Sequence, residues 1–245
     1  MPRIYCPLPL RENAQVDLPE RAVKHVQVLR LQPGNELVVF NGLGGEYTAA
    51  VEEMGRQSVR IRILAHFEIE RENDRGVHLL VGMPANERMD WLVEKATELG
   101  VHRITPLMTQ RSVLKLQGER ALKKTQHWQL IAIGACEQSG RNRIPQIDEP
   151  IALNHLLNNW PLATRQWVLS TRASPHMQEN ILSPVKLDKI DDQIAQVLSG
   201  PEGGLEPKEE DALMQKGFLP WSLGPRILRA ETAALYALMS LSKAP

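Results

Sequence analysis

The spacing of apolar positions changes character near residue 72. Before it, the apolar residues fall in short runs, Glu36–Phe40, Glu46–Val51 and Ser58–Leu64, rich in Val, Ile and Tyr. In the last run Val59, Ile61 and Ile63 alternate with Arg60 and Arg62, the period of two expected of a strand with one wet face. Asn41-Gly42-Leu43-Gly44-Gly45 separates the first two runs and reads as a hairpin connection. One helical pattern interrupts the strands: Ala22, Val23, Val26 and Leu29 recur at three- and four-residue intervals between Pro19 and Leu31, with Gly34 as the stop. A small β domain over residues 1–72 follows, with the charged run Glu68–Gly76 as its linker.

Beyond the linker the pattern is that of buried strands alternating with helices. Val77–Met83 is apolar apart from His78 and Gly82. Asn86 is placed to cap a helix carrying Met89, Leu92, Val93, Ala96 and Leu99 on one face, and Gly100 ends it. A second apolar strand, Ile104–Met108, completes a βαβ unit, whose strands must run parallel. The alternation continues with a long helix within Gly118–Ser139, a helix over Ile151–Asn159 and strands at Gln166–Ser170 and Ile194–Ser199. A helix over Pro207–Gly217, a strand at Leu219–Leu223 and a last helix from Ala230 to Leu241 complete it. Such an order predicts an α/β domain over 73–245, built on an open parallel sheet covered on both faces.

Composition adds limits. The 245 residues are 42% hydrophobic and 24% charged, the make-up of a globular protein, and no stretch reaches the roughly 18 apolar residues of a spanning helix. Met1–Leu10, with its prolines at positions 2, 7 and 9, lacks the pattern of a secretory signal, so a cytoplasmic protein is expected, without membrane contact. Cys6 and Cys136 are far apart and read as apolar fillers; no metal site is expected. The net charge is zero, with 29 basic and 29 acidic side chains, yet residues 101–145 carry Arg103, Arg111, Lys115, Arg120, Lys123, Lys124, Arg141 and Arg143 against Glu119 and Glu137. That local surplus is either a phosphate-attracting patch or a solvated helix face. Trp91, Trp128, Trp160, Trp167 and Trp221 lie in apolar contexts and are expected, for the most part, in the core.

In open parallel sheets ligands bind beyond the carboxyl ends of strands, so the loops after strands carry the candidate chemistry. Three stand out: Gly200-Pro201-Glu202-Gly203-Gly204-Leu205, Gly224-Pro225-Arg226-Ile227-Leu228-Arg229, and Thr171-Arg172-Ala173-Ser174-Pro175. None is a nucleotide phosphate loop, no Gly-x-Gly-x-x-Gly follows a strand, and neither a Gly-x-Ser-x-Gly elbow nor a His-Glu-x-x-His pair is present. Each glycine-rich loop taken alone reads equally as a tight turn; two of them ending neighbouring strands favour a shared ligand pocket.

The residues of these loops carry a more specific likeness. Gly200–Leu205, Leu223–Ala233 (Leu-Gly-Pro-Arg-Ile-Leu-Arg-Ala-Glu-Thr-Ala), Glu94–Val101 (Glu-Lys-Ala-Thr-Glu-Leu-Gly-Val) and Ala135–Arg141 (Ala-Cys-Glu-Gln-Ser-Gly-Arg) resemble the signature blocks of the RsmE family. His25–Gly34 is similar to that family's N-terminal, PUA-like RNA-binding domain, so the resemblance spans nearly the whole chain. It implies a small PUA-like β-barrel followed by a SPOUT α/β domain with a deep C-terminal trefoil knot, and a homodimer. The implied cofactor is S-adenosyl-L-methionine. The implied reaction is N3-methylation of a uridine in 16S ribosomal RNA, with the small ribosomal subunit as partner. By the same resemblance Leu169, Ser170, Thr171, Gly200, Pro201, Glu202, Gly203, Gly204, Leu223, Gly224, Ile227 and Leu228 would surround the cofactor. Pro84-Ala85-Asn86 departs from the family, where a basic residue is expected.

N3 of uridine must lose its proton before it attacks a methyl group, which requires a base or a charge stabiliser. Glu231 is the candidate for that proton, and Arg226 and Arg229 for stabilising negative charge on the uracil oxygens. The other reading of Glu231 is a carboxylate favoured by the helix N-terminus or paired with Arg229. Arg30, Arg111, Lys115, Arg141 and Arg143 are the candidate RNA contacts. Two other readings stay open: a non-catalytic RNA-binding or ribosome-assembly factor, and the same chemistry on another RNA such as transfer RNA.

Overall fold

Val59, Ile61 and Ile63 point into a core while Arg62 stays outside it, as their alternation requires. The structure, a computed structural model, describes residues 1–73, 75–159, 165–172 and 194–242. They fall into two units, one of residues 1–72 and 133–144, the other of residues 73–132 and 145–245.

In the first unit β1 (Arg3–Tyr5), β2 (Gln15–Asp17), α1 (Glu20–Val28), β3 (Glu36–Phe40), β4 (Glu46–Met54) and β5 (Val59–Phe67) follow in order. The strands make one mixed sheet, β1-β3-β4-β5-β2, in which the β1/β3 pairing is parallel and the others antiparallel. Ala22, Val23 and Val26 of α1 close a core containing Ile4, Leu37 and Val39. The helix stops earlier than Gly34. Arg30 takes a left-handed φ of 55°, its N–H donates to Gln27 O at 3.0 Å, and Leu31 N–H donates to Val26 O at 3.2 Å. These bonds form the usual helix-ending motif, with arginine where glycine is common. Gly34 instead turns the chain into β3, its N–H on Val51 O. The expected linker is pinned: Glu72 accepts two hydrogen bonds from Arg141, Glu70 pairs with Arg143, and Ile69 O accepts from Asn142.

The second unit contains β6 (Val77–Gly82), α2 (Asn86–Glu98), β7 (Arg103–Met108), α3 (Gly118–Ser139, whose residues from Ile133 belong to the first unit), β8 (Gln146–Ile147), β9 (Ile151–Ala152) and α4 (Leu153–Asn159). It continues with β10 (Gln166–Leu169), β11 (Ala195–Ser199), α5 (Pro207–Gln215), β12 (Leu219–Trp221) and α6 (Ala230–Ser242). Its sheet runs β12-β10-β11-β6-β7-β8 with β9 beside β7, and every pairing is parallel. Both faces are covered, as a parallel sheet demands. Leu79, Val81 and Val197 pack with Leu92, Val93, Trp128 and Leu238, whereas Leu80, Leu198 and Val168 pack with Leu156 and Leu213. Ala85, not Asn86, holds the cap position of α2, and no side chain caps it. Trp128, Trp167 and Trp221 are buried, but Trp91 is exposed on α2; Trp160 lies outside the described residues.

Candidate active site

The parallel order brings the carboxyl ends of β12, β10 and β11 side by side, and the loops leaving them enclose a cavity of about 850 Å³. Leu169–Thr171 forms one wall, Ser199–Leu205 a second, and Trp221–Ala230 a third. All twelve residues that the resemblance gathers around a cofactor line it, although they come from three separated segments. Ala173, Ser174 and Pro175 of the first loop lie outside the described residues. Gly204 and Gly224 have φ of 68° and 109°, and a Cβ at either would meet no atom within 4 Å. Glycine therefore permits the backbone path and leaves main-chain groups open to a ligand.

The loop after β11 is held from two sides. Glu202 accepts hydrogen bonds from the Ala85 amide at 3.0 Å and from Arg88 Nη1 at 3.4 Å. The Pro84-Ala85-Asn86 turn thus anchors this loop through its backbone, for which no basic residue is needed. On the other side Arg111 Nη1 donates to Gly203 O at 2.8 Å. Pro207 opens α5, whose start is closed by reciprocal bonds between Glu206 and Glu209, and the Gln110 amide donates to Glu209 at 2.8 Å.

Several lining residues were not among the sequence candidates. Ser199, Glu210, Trp221 and Ser222 face the cavity. Glu210 is 7% exposed; it accepts the hydroxyl proton of Ser170 and lies 3.6 Å from Arg172 Nη1. No motif marks it, because its partner Ser170 is remote in sequence.

The candidate catalytic groups divide. Arg226 and Arg229 are exposed on the third wall, and neither forms an ion pair among the described residues. Glu231 does not line the cavity. It is 7% exposed at the start of α6, its Oε2 has no hydrogen-bond partner among the described residues, and it forms no ion pair with Arg229. Glu231 thus sits beside the cavity wall rather than on it, a placement that fits a carboxylate held in the first helical turn.

The candidate RNA contacts divide as well. Lys115 and Arg30 are exposed, and the Arg143 side chain is partly exposed beside Glu70. Arg111 belongs to the cavity wall. Arg141 is 4% exposed and clamped on Glu72, so RNA cannot reach its guanidinium without breaking the fold. Of the cysteines, Cys136 is buried deeply enough that desolvation pushes its thiol up to about 12, which removes it as a nucleophile.

Comparison with known proteins adds a second line. Residues 71–242 match a family described as an RNA methyltransferase domain, and residues 18–64 one described as an RNA methyltransferase PUA domain. The chain is 32% identical to ribosomal RNA small subunit methyltransferase E of Buchnera aphidicola subsp. Schizaphis graminum, covering 98% of this chain and 95% of that protein. The structure of that enzyme from Neisseria gonorrhoeae, bound to S-adenosyl methionine, superposes with a TM-score of 0.84 at 33% identity, over 98% of this chain and 96% of that one. A methyltransferase of Legionella pneumophila, solved with its bound cofactor SAM, gives a TM-score of 0.88 at 36% identity, with coverage of 98% and 96%.

Proposed function

The chain belongs to the RsmE family of RNA methyltransferases, and on that premise we propose that it methylates N3 of a uridine in 16S ribosomal RNA. Methylation of small-subunit ribosomal RNA with S-adenosylmethionine is the family's activity, and this chain matches relatives named for it over almost its full length. The choice of uridine N3 is a finer reading, supported by the loop residues that resemble the family's blocks.

One observation carries the functional reading: three loops at the carboxyl ends of β10, β11 and β12 enclose a single cavity whose lining includes four arginines, of which Arg226 and Arg229 are exposed on the wall after β12. S-adenosylmethionine supplies an electrophilic methyl group when bound. The residues present fit it. Leu169, Leu223 and Leu228 offer an apolar enclosure for adenine, and the open backbone at Gly204 and Gly224 offers donors and acceptors for its polar edge. Arg226 and Arg229 offer positive charge where a deprotonated uracil would carry its negative charge, lowering the cost of losing the N3 proton. Lys115, Arg30 and Arg143 offer further positive charge for RNA phosphates.

The same reading extends to architecture. We take residues 1–72 as the PUA-like RNA-binding module, its sheet closed as a barrel, and residues 73–245 as the SPOUT domain. The pairing of β12 beside β10 and the packing of α6 against β6 and β11 support the trefoil knot that the resemblance implies. Trp91 on α2 and Tyr236 on α6 are exposed, which supports a second copy as their cover. A solution mass of one chain at working concentration would contradict that pairing. No helix among the described residues is long and apolar enough to cross a membrane, and a ribosomal RNA substrate supports a cytoplasmic location.

Expression in cells lacking their own family member tests the function. Digests of their 16S ribosomal RNA should regain 3-methyluridine; its continued absence while the protein accumulates contradicts the assignment.

A further inference from the structure

The cavity is lined by two carboxylates that differ in commitment. Glu202 is occupied by Ala85 and Arg88. Glu210, from the first turns of α5, is buried, and a buried carboxylate requires partners for its lone pairs. Ser170 Oγ donates to Oε1, and the Arg172 amide in turn donates to Ser170 Oγ at 2.9 Å, which orients the hydroxyl. Oε2 has Arg172 Nη1 at 3.6 Å, too long for a hydrogen bond, and that guanidinium is shared with Asp211 at 3.1 Å. Glu210 therefore faces the cavity with acceptor capacity left over and with its charge offset only in part, by a guanidinium it shares with Asp211.

That combination selects among the polar parts of the ligand. A bare carboxylate would favour the sulfonium or the ammonium group of S-adenosylmethionine. One that shares an arginine and already accepts from an oriented serine hydroxyl is set up to accept from neutral hydroxyls, the role acidic residues play toward ribose in other open parallel sheets. We propose that Glu210 accepts the ribose hydroxyls of the methyl donor, with Ser170 and Arg172 as the residues that position it. The inference rests on the cofactor reading above, which titration of the unaltered protein with S-adenosylmethionine tests separately.

The experiment is calorimetric titration of the unaltered protein and of Glu210→Ala with S-adenosylmethionine, S-adenosylhomocysteine and 5′-methylthioadenosine, and with the 2′-deoxy and 3′-deoxy forms of the last. 5′-Methylthioadenosine keeps the ribose but has neither sulfonium nor ammonium. The unaltered protein should lose about 10-fold in affinity on removal of one of the hydroxyls, as expected for a hydrogen bond to a charged acceptor. Glu210→Ala should weaken all three ribose-bearing ligands by a common factor of about 10 and abolish the discrimination against that deoxy form. Equal binding of ribose and both deoxy ligands by the unaltered protein overturns the proposal, and needs no variant to fold. A loss in Glu210→Ala confined to S-adenosylmethionine would also overturn it, by making Glu210 a counter-ion to the sulfonium. Failure of the unaltered protein to bind any of these ligands would instead count against the cofactor reading on which it stands.

Discussion

Arg111 Nη1 donates a 2.8 Å hydrogen bond to the carbonyl oxygen of Gly203, so a side chain from the basic segment holds the glycine-rich loop of the cavity. Its guanidinium is also 3.8 Å from Glu206, at the entry to α5. The bond is partly exposed, which limits its worth to about 1 kcal/mol. Arg111→Ala should therefore weaken S-adenosylmethionine binding by about 5-fold in an equilibrium titration and leave the melting temperature nearly unchanged. Unchanged cofactor affinity with a defect in RNA binding alone would return Arg111 to the role of a simple RNA contact.

Arg226 and Arg229 line the cavity and Glu231 does not. Substituting either arginine by Ala should lower single-turnover methyl transfer by about 100-fold while cofactor affinity changes much less, because the charge to be stabilised develops only during reaction. Glu231→Gln should keep turnover within a few-fold of normal and show its effect in thermal unfolding. A 100-fold loss of turnover in Glu231→Gln, with folding intact, would restore it as the group that takes the N3 proton.

The pair Arg141 and Glu72 makes an opposite prediction for two residues of the same charge and segment. Removing one partner of a buried ion pair leaves the other uncompensated, so Arg141→Ala should cost about 3 kcal/mol in urea unfolding. Lys115→Ala, at an exposed position, should leave stability unchanged and reduce the salt dependence of RNA binding by roughly one counterion. The reverse pattern would show that RNA reaches Arg141.

His78 sets a pH dependence. It is buried in β6, and desolvation together with nearby Arg103 lowers its pKa to about 3. Because Thr105 gives its hydroxyl proton to Asp148, His78 Nε2 is the donor in the 2.7 Å bond to Thr105 Oγ1. The unfolded chain takes up a proton near the ordinary value of about 6.5, and the folded chain resists until about 3, so stability falls as pH drops through that window. Between pH 7.5 and pH 5 the loss should be about 2 kcal/mol in urea denaturation. Replacing His78 by Gln should flatten the curve there; an equal slope in that variant would place the titration elsewhere.

How much of this was legible in the sequence follows from the range of each interaction. The strand Val59–Phe67, the βαβ unit and the loops at Gly200 and Gly224 could be read because period, turn chemistry and strand-to-loop order are local. β1 and β2 could not, since strands of three residues are too short to display a period and are stabilised by neighbours far along the chain. The end of α1 was misplaced because the sign expected there is glycine, whereas Arg30 adopts the left-handed conformation. At the site, the loops that build the cavity followed from their place after strands and twelve of its residues from the family resemblance, but Glu210 and the roles of the lining residues did not. Arg141 looks like any surface arginine until Glu72 is seen against it, and Glu210 acquires meaning only when Ser170 and Arg172 are brought beside it.

The central claim is that the cavity at the ends of β10, β11 and β12 serves methyl transfer to small-subunit ribosomal RNA. It is tested most directly by incubating the purified protein with S-adenosylmethionine bearing a deuterated methyl group and small subunits from cells lacking the enzyme. Their 16S ribosomal RNA is then digested and its nucleosides are weighed. Deuterium-labelled 3-methyluridine, lost in Arg226→Ala, is the predicted result. No labelled nucleoside, from protein shown to bind the cofactor, would contradict it.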